Sequence, residues 1–191
     1  MQIGLLCLLP AIAVAFAGDG IPPRGSAEDY PAHQIAGELA IGAAYVPPAQ
    51  VRKLFGEDLE KHGYVVFEVG VFPIDKHPDA SADGFKLMQG KKTGIVGAAS
   101  PYDVAAAVWP QPSDQPWAEM PVPGAATPAG KRIALQRKIE EKSLPKVNTN
   151  RAAAGYLFFL KSSKDQRADY ELLYLDLDEK ISLRISSSGK P

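Results

Sequence analysis

Residues 153–160 read Ala-Ala-Gly-Tyr-Leu-Phe-Phe-Leu, residues 170–177 read Tyr-Glu-Leu-Leu-Tyr-Leu-Asp-Leu, and residues 180–186 read Lys-Ile-Ser-Leu-Arg-Ile-Ser. In the first run Tyr156, Phe158 and Leu160 fall on one side of an extended chain, with Leu157 and Phe159 on the other. In the second, Glu171, Leu173, Leu175 and Leu177 alternate with Tyr170, Leu172, Tyr174 and Asp176. In the third, Ile181, Leu183 and Ile185 alternate with Ser182, Arg184 and Ser186. A period of two, with one side apolar, is the mark of a half-buried strand. Three such runs in succession, separated by polar turns, predict an antiparallel meander in a mainly β domain.

Upstream, residues 64–72 form the strongest single strand. Val65, Phe67, Val69 and Val71 point one way, and Tyr64, Val66, Glu68, Gly70 and Phe72 the other. Both sides are mostly apolar, which places this strand in the middle of a sheet. Glu68 is its one acid; exposure or pairing with an Arg is the reading that its chemistry favours, because an unpaired buried carboxylate is costly. One strand is expected within residues 34–45, and short strands at 85–89 and 93–98. Pro47-Pro48 followed by Val51, Leu54 and Phe55 and then Gly56 reads as a short helix, expected to plug one end of the sandwich. Ser100-Pro101-Tyr102-Asp103 reads as a helix start, and residues 131–144 as a charged helix closed by Pro145. Between them, residues 109–130 hold six prolines and both tryptophans, Trp109 and Trp117, and read as an extended loop. The sum is an immunoglobulin-like antiparallel β-sandwich of about seven strands with two or three short helices.

Residues 1–17 read as a signal peptide. The stretch from Ile3 to Phe16 is apolar and uncharged, and Ala15-Phe16-Ala17 is a small-x-small cleavage pattern. Residues 18–32 then read as a flexible leader, 33–186 as the domain, and 187–191 as a tail. Cys7 is the single cysteine, so a chain cleaved at Ala17 has none. That excludes thiol nucleophiles and cysteine-based zinc sites, and it suits a bacterial periplasm or surface better than a disulfide-stapled secreted module. The expected location is the periplasm or the extracellular space. Net charge is −1, without the basic excess of a nucleic-acid binder.

No motif of covalent or cofactor chemistry survives inspection. Ser143/Lys146 and Ser187/Lys190 match Ser-x-x-Lys by coincidence, and Pro145 denies the first its helical turn. Gly124 to Lys131 resembles a phosphate loop with one residue too many and Arg132 where a hydroxyl is needed. His33, His62 and His77 are not spaced for one metal, and Asp75, Asp79 and Asp83 do not follow a calcium-loop pattern. No catalytic, cofactor or metal residues are therefore assigned. Partner binding has its candidates in Trp109, Trp117, Arg132, Arg137 and Lys138: cations outnumber Glu140 and Glu141 in this segment. The bland reading of the same cations is a solvated helix face with pairs such as Arg137–Glu141.

Residues 155–159, 170–174 and 180–183, together with Tyr64-Val65-Val66-Phe67-Glu68-Val69, resemble the strands of uncharacterised secreted bacterial proteins with an immunoglobulin-like sandwich. The resemblance implies two sheets and export, and it supplies no catalytic residues. The expected function is a non-enzymatic extracytoplasmic binding or scaffold module, with a protein or envelope component as partner. The rival is an envelope hydrolase using carboxylates gathered in space, such as Glu68 with Asp75 or Asp83.

Overall fold

The computed structural model describes residues 20–74, 80–88, 94–110, 127–147, 151–161, 169–175 and 180–187. The signal-peptide segment with Cys7, the acids Asp75 and Asp79, His77, Trp117 and most of the Pro-rich loop lie outside the described residues. Lys190 and all of the tail after Ser187 also lie outside them.

Among the described residues the chain is mainly β, with two four-stranded antiparallel sheets. The first has the order β1 (Ala32–Ala36), β2 (Leu39–Tyr45), β3 (Tyr64–Pro73), β6 (Ala153–Leu160). The second has the order β5 (Ile95–Gly97), β4 (Phe85–Met88), β7 (Asp169–Leu175), β8 (Lys180–Ser186). Three α-helices accompany them: α1 (Pro48–Phe55), α2 (Pro101–Val108) and α3 (Pro128–Lys142).

The alternation of β3 decides the layering. Its Val65, Phe67, Val69 and Val71 enter a core shared with Phe85, Leu87, Tyr170, Leu172, Tyr174, Ile181, Leu183 and Ile185 of the second sheet. Phe67 lies at the centre of an aromatic group, its ring centroid 5.9 Å from Phe159 and 5.4 Å from Tyr170. The opposite side of β3 faces a second core, in which Tyr64, Val66, Tyr156 and Phe158 meet Phe55 of α1, Val104 of α2, and Leu135 and Ile139 of α3. The helices therefore form a third layer on the outside of the first sheet. The expected plugging of the sandwich end by α1 is corrected: Val51 and Phe55 are buried against the flat of that sheet, because Phe158 and Tyr156 offer an apolar surface there.

The meander expected of the last three strands is also corrected. β7 and β8 pair as a hairpin from Asp169↔Ser186 to Leu175↔Lys180, but β6 lies in the other sheet beside β3. The reason is in its residues: both sides of β6 are apolar, and only the middle layer covers a strand on both sides. The single strand expected within 34–45 is likewise two, folded back at Gly37-Glu38, where Gly37 takes φ +50° as the first residue of a tight turn.

Residues 20–31 are not a loose leader. Ile21 forms an antiparallel bridge to Ala154, Ala27 and Tyr30 are buried, and Ser26 and Asp29 cap a short 3-10 turn. This segment crosses the outer side of the first sheet from β6 towards β1, a strap beside the helices. Its richness in Gly, Pro and charge suggests flexibility, but the sheet beneath provides a trough: Gly42 and Gly70 have no side chains where the Tyr30 ring lies.

The exposed edge of β6 is closed by backbone. Ile21 N–H donates to Ala154 O at 2.8 Å, Leu144 N–H to Tyr156 O at 3.3 Å, and Ala99 N–H to Phe158 O at 2.7 Å. Three distant segments thus satisfy alternate carbonyls of one edge strand. At the other side of the sandwich β1 lies against β8, where Ser182 N–H donates to Gln34 Oε1 at 3.2 Å.

Candidate functional site

The helical layer carries the partner-binding candidates. α2 begins as its sequence predicts: Ser100 Oγ accepts from Asp103 N–H at 3.1 Å with Pro101 in the first turn. α3 starts three residues earlier than expected, at Pro128. Thr127 is its cap and accepts from Gly130 N–H at 3.1 Å, so a proline read as loop is in fact the favoured first helical residue. Leu135 and Ile139 turn inward and fix which residues of α3 meet solvent.

That orientation does not gather the candidates on one face. Arg132 is half-buried, its guanidinium 6.0 Å from the Tyr102 ring centroid. Arg137 and Lys138 are exposed. By helical geometry Arg137 stands about 140° around the axis from Arg132 and about 100° from Lys138. Trp109 packs partly into the helix-side core, and Lys131 Nζ lies 4.5 Å over its ring. The Trp109 Nε1–H is buried and has no hydrogen-bond partner among the described residues. The expected Arg137–Glu141 pair is not formed; instead Gln136 donates to Glu140 at 2.7 Å. Two residues that the sequence reading passed over complete the surface. Tyr102 and Ile133 are 55% and 56% exposed, large apolar groups on a helical layer whose other such side chains are mostly inside. Nothing in the pattern distinguished Ile133 from a core isoleucine until α3's inward face was known.

A cleft of about 320 Å³ lies between the α2 start, the α3 end and the edge of β6. Asp83, Glu140, Ser100, Ser143 and Tyr156 supply its polar side chains. Both serine hydroxyls are already committed as donors: Ser100 Oγ to Asp103 Oδ2 at 2.7 Å and Ser143 Oγ to Ile139 O at 2.8 Å. Ser143 thus faces a carbonyl and Ser100 the capping carboxylate of its own helix, and no histidine lines this cleft among the described residues.

Glu68 is not part of that cleft. It accepts two hydrogen bonds from Arg24, which lies on the strap and also stacks 4.4 Å over the Tyr30 ring. The same ion pair raises the Arg24 pKa, chiefly through the hydrogen bond to Glu68. Burial pushes the hydroxyl pKa of Tyr30 up, and that of Tyr156 across the strand from Glu68 as well. Glu68 is thus the paired acid its sequence position favoured, and the Glu68-with-Asp83 couple is not formed in the cleft. Asp75 lies outside the described residues.

Among the described residues no group of His, Cys, Asp and Glu could hold a metal ion, and no helix is long and apolar enough to cross a membrane. No protein-family model matches the chain, and no curated protein or solved structure is significantly similar to it.

Proposed function

We propose that the chain is a non-enzymatic extracytoplasmic binding or scaffold module, exported by its first seventeen residues and recruited by a protein or envelope component. The observation that carries this reading is the helical layer laid over a completed sandwich. The α2–α3 pair leaves Tyr102 and Ile133 in solvent beside Arg132, joining apolar and cationic groups as interfaces do. The immunoglobulin-like grouping belongs to the same proposal. Two facing antiparallel sheets support it, but the order β1-β2-β3-β6 opposite β5-β4-β7-β8 is not the A-B-E-D opposite C-F-G arrangement, so the likeness is one of layering. Co-purification from the native envelope tests the module: specific retention of one partner is expected. Robust turnover by the purified chain, abolished by one substitution, would overturn it.

A second reading, an envelope hydrolase with paired carboxylates, is favoured by one observation: Asp83 and Glu140 line the same cleft. It requires that a hydrolytic activity be lost in both Asp83→Asn and Glu140→Gln. Turnover that survives either change, or none at all, removes it.

A further inference from the structure

We infer that the α2–α3 hairpin docks an acidic polypeptide segment, one in which Asp or Glu alternate with apolar side chains, along α3 from Pro128 to Ile139. This rests on the binding-module reading and gives that module a partner chemistry. From Pro128 to Ile139, α3 carries Lys131, Arg132, Arg137 and Lys138 with no acid, on a chain whose net charge is −1.

The order of these charges runs against the helix itself. Lys142 at the carbonyl end is well placed, but Lys131 and Arg132 stand near the amino-terminal end, where the amides already present partial positive charge, and Glu140 and Glu141 stand near the carbonyl end. Each of the latter placements is the unfavourable one for an isolated helix. The Trp109 and Tyr102 rings offset part of this cost for Lys131 and Arg132, and an arriving carboxylate is attracted both by the side chains and by the end of the helix. Arg137 and Lys138 have no ion-pair partner among the described residues, so their charge is available. Arg132 is half-buried with its guanidinium 6.0 Å from the Tyr102 ring centroid, so it has fewer rotamers to lose when it binds. Exposed Ile133 and Tyr102 add apolar contact beside the cations.

The geometry also selects among anionic partners. On the solvent side, from Arg132 past Ile133, Arg137 and Lys138 to Lys131, the four cations spread over about 260° of the helix, the remaining ~100° being the face on which Leu135 and Ile139 turn inward. A planar bilayer touches one side of a helix at a time, whereas a flexible chain can cross it obliquely and meet several of these groups. Guanidinium groups additionally match carboxylates two hydrogen bonds at a time.

The test is titration calorimetry of the full chain with three probes: a short Glu/Leu peptide, its Lys/Leu counterpart, and phosphatidylglycerol vesicles. Saturable binding of the acidic peptide alone is expected, weakened at least about tenfold by the charge reversal Arg132→Glu/Arg137→Glu. Lys138→Glu and Ile133→Ser, both at exposed positions, should weaken it several-fold with unchanged melting, and they decide the matter if the double variant melts early. Equal binding of the Lys/Leu peptide, vesicle binding as strong as peptide binding, indifference to these substitutions, or no peptide binding would each overturn the inference. Native co-purification separates the two levels. A partner retained equally by wild type and by Arg132→Glu/Arg137→Glu leaves the module standing and removes this face. A wild-type chain that retains nothing removes the module as well.

Discussion

Arg24 grips Glu68 across forty-four positions of sequence, Nε to Oε1 at 3.0 Å and Nη2 to Oε2 at 3.1 Å. The two-point geometry joins the strap to the middle of β3. The Arg24 Nη1–H also donates to the Asp29 carbonyl at 2.8 Å, closing the strap on itself. Because the carboxylate is largely withdrawn from water, 14% exposed, it depends on this partner more than a surface acid would. Glu68→Gln should lower stability by about 1–2 kcal/mol and Arg24→Ala by about 2–3 kcal/mol. The pair Arg24→Leu/Glu68→Leu should cost clearly less than the sum of its single changes. Urea titrations of the cycle measure this; strict additivity would show that the two residues are not coupled.

Tyr30 provides a test with an unusual sign. Its hydroxyl is buried with no partner in hydrogen-bond geometry among the described residues; the Arg24 backbone is near enough to oppose, but not to cancel, the pKa rise that burial causes. Removing an unsatisfied buried group relieves a desolvation cost, so Tyr30→Phe should stabilise the fold by about 1 kcal/mol. Tyr30→Ala empties the glycine trough and should cost about 3–4 kcal/mol. A loss of stability in Tyr30→Phe would mean that the hydroxyl is hydrogen-bonded after all.

Gly70 and Tyr30 should respond as one unit. A methyl group at position 70 would sit 2.6 Å from the Tyr30 hydroxyl and 2.8 Å from the Phe72 ring edge. Gly70→Ala should therefore destabilise by about 1–3 kcal/mol in the wild type. In a Tyr30→Ala background the part of that cost due to Tyr30 should disappear, leaving the Phe72 contact, which chemical denaturation of the double variant can show. An undiminished cost would place the clash elsewhere.

Gly155 has less room to adjust. A side chain there would meet the backbone of Ser143 and Leu144, not the end of a flexible group. Gly155→Ala must push that backbone away from β6 and stretch the Leu144 N–H to Tyr156 O bond, at a cost of about 2–3 kcal/mol. Hydrogen exchange at the Leu144 amide should accelerate in the variant.

Alkali should unfold the chain earlier than its acids and bases in general would suggest. Burial raises the pKa values of Tyr30, Tyr45, Tyr64 and Tyr156. The folded chain holds these protons longer than the unfolded one, so the linked stability is complete below the unfolded tyrosine pKa of about 10 and drains as pH rises past it. Tyrosinate absorbance of these four groups should rise together with loss of near-ultraviolet circular dichroism. Ionisation well before any unfolding would contradict their burial.

Strand identity was legible wherever alternation was strong: β3, β7 and β8 have the faces their sequences assign. Neighbourhood was not. The two-sided apolarity of Tyr156 to Phe159 could have told that β6 needs cover on both sides, yet sequence proximity to β7 suggested a meander. Caps were readable at Ser100 but hidden at Thr127, where Pro128 lies among other prolines. The strap escaped notice because its trough is made of missing side chains at Gly42 and Gly70, which leave no local pattern. For the candidate surface, charge was visible in the sequence. The exposure of Ile133, and the separation of Arg132, Arg137 and Lys138 around the helix, depend on which side of α3 faces the sheet.

The backbone cover on β6 makes the amino-terminal segment a guard against self-association. Loss of the chain up to Ile21 by proteolytic trimming would uncover the Ala154 carbonyl and leave Leu144 and Ala99 as the remaining donors along that border. An opened border of this kind is a template for a neighbouring molecule's strand. Trimming the residues up to Ile21, which carry none of the strands of either sheet, would thus open that border to the strand of a second chain.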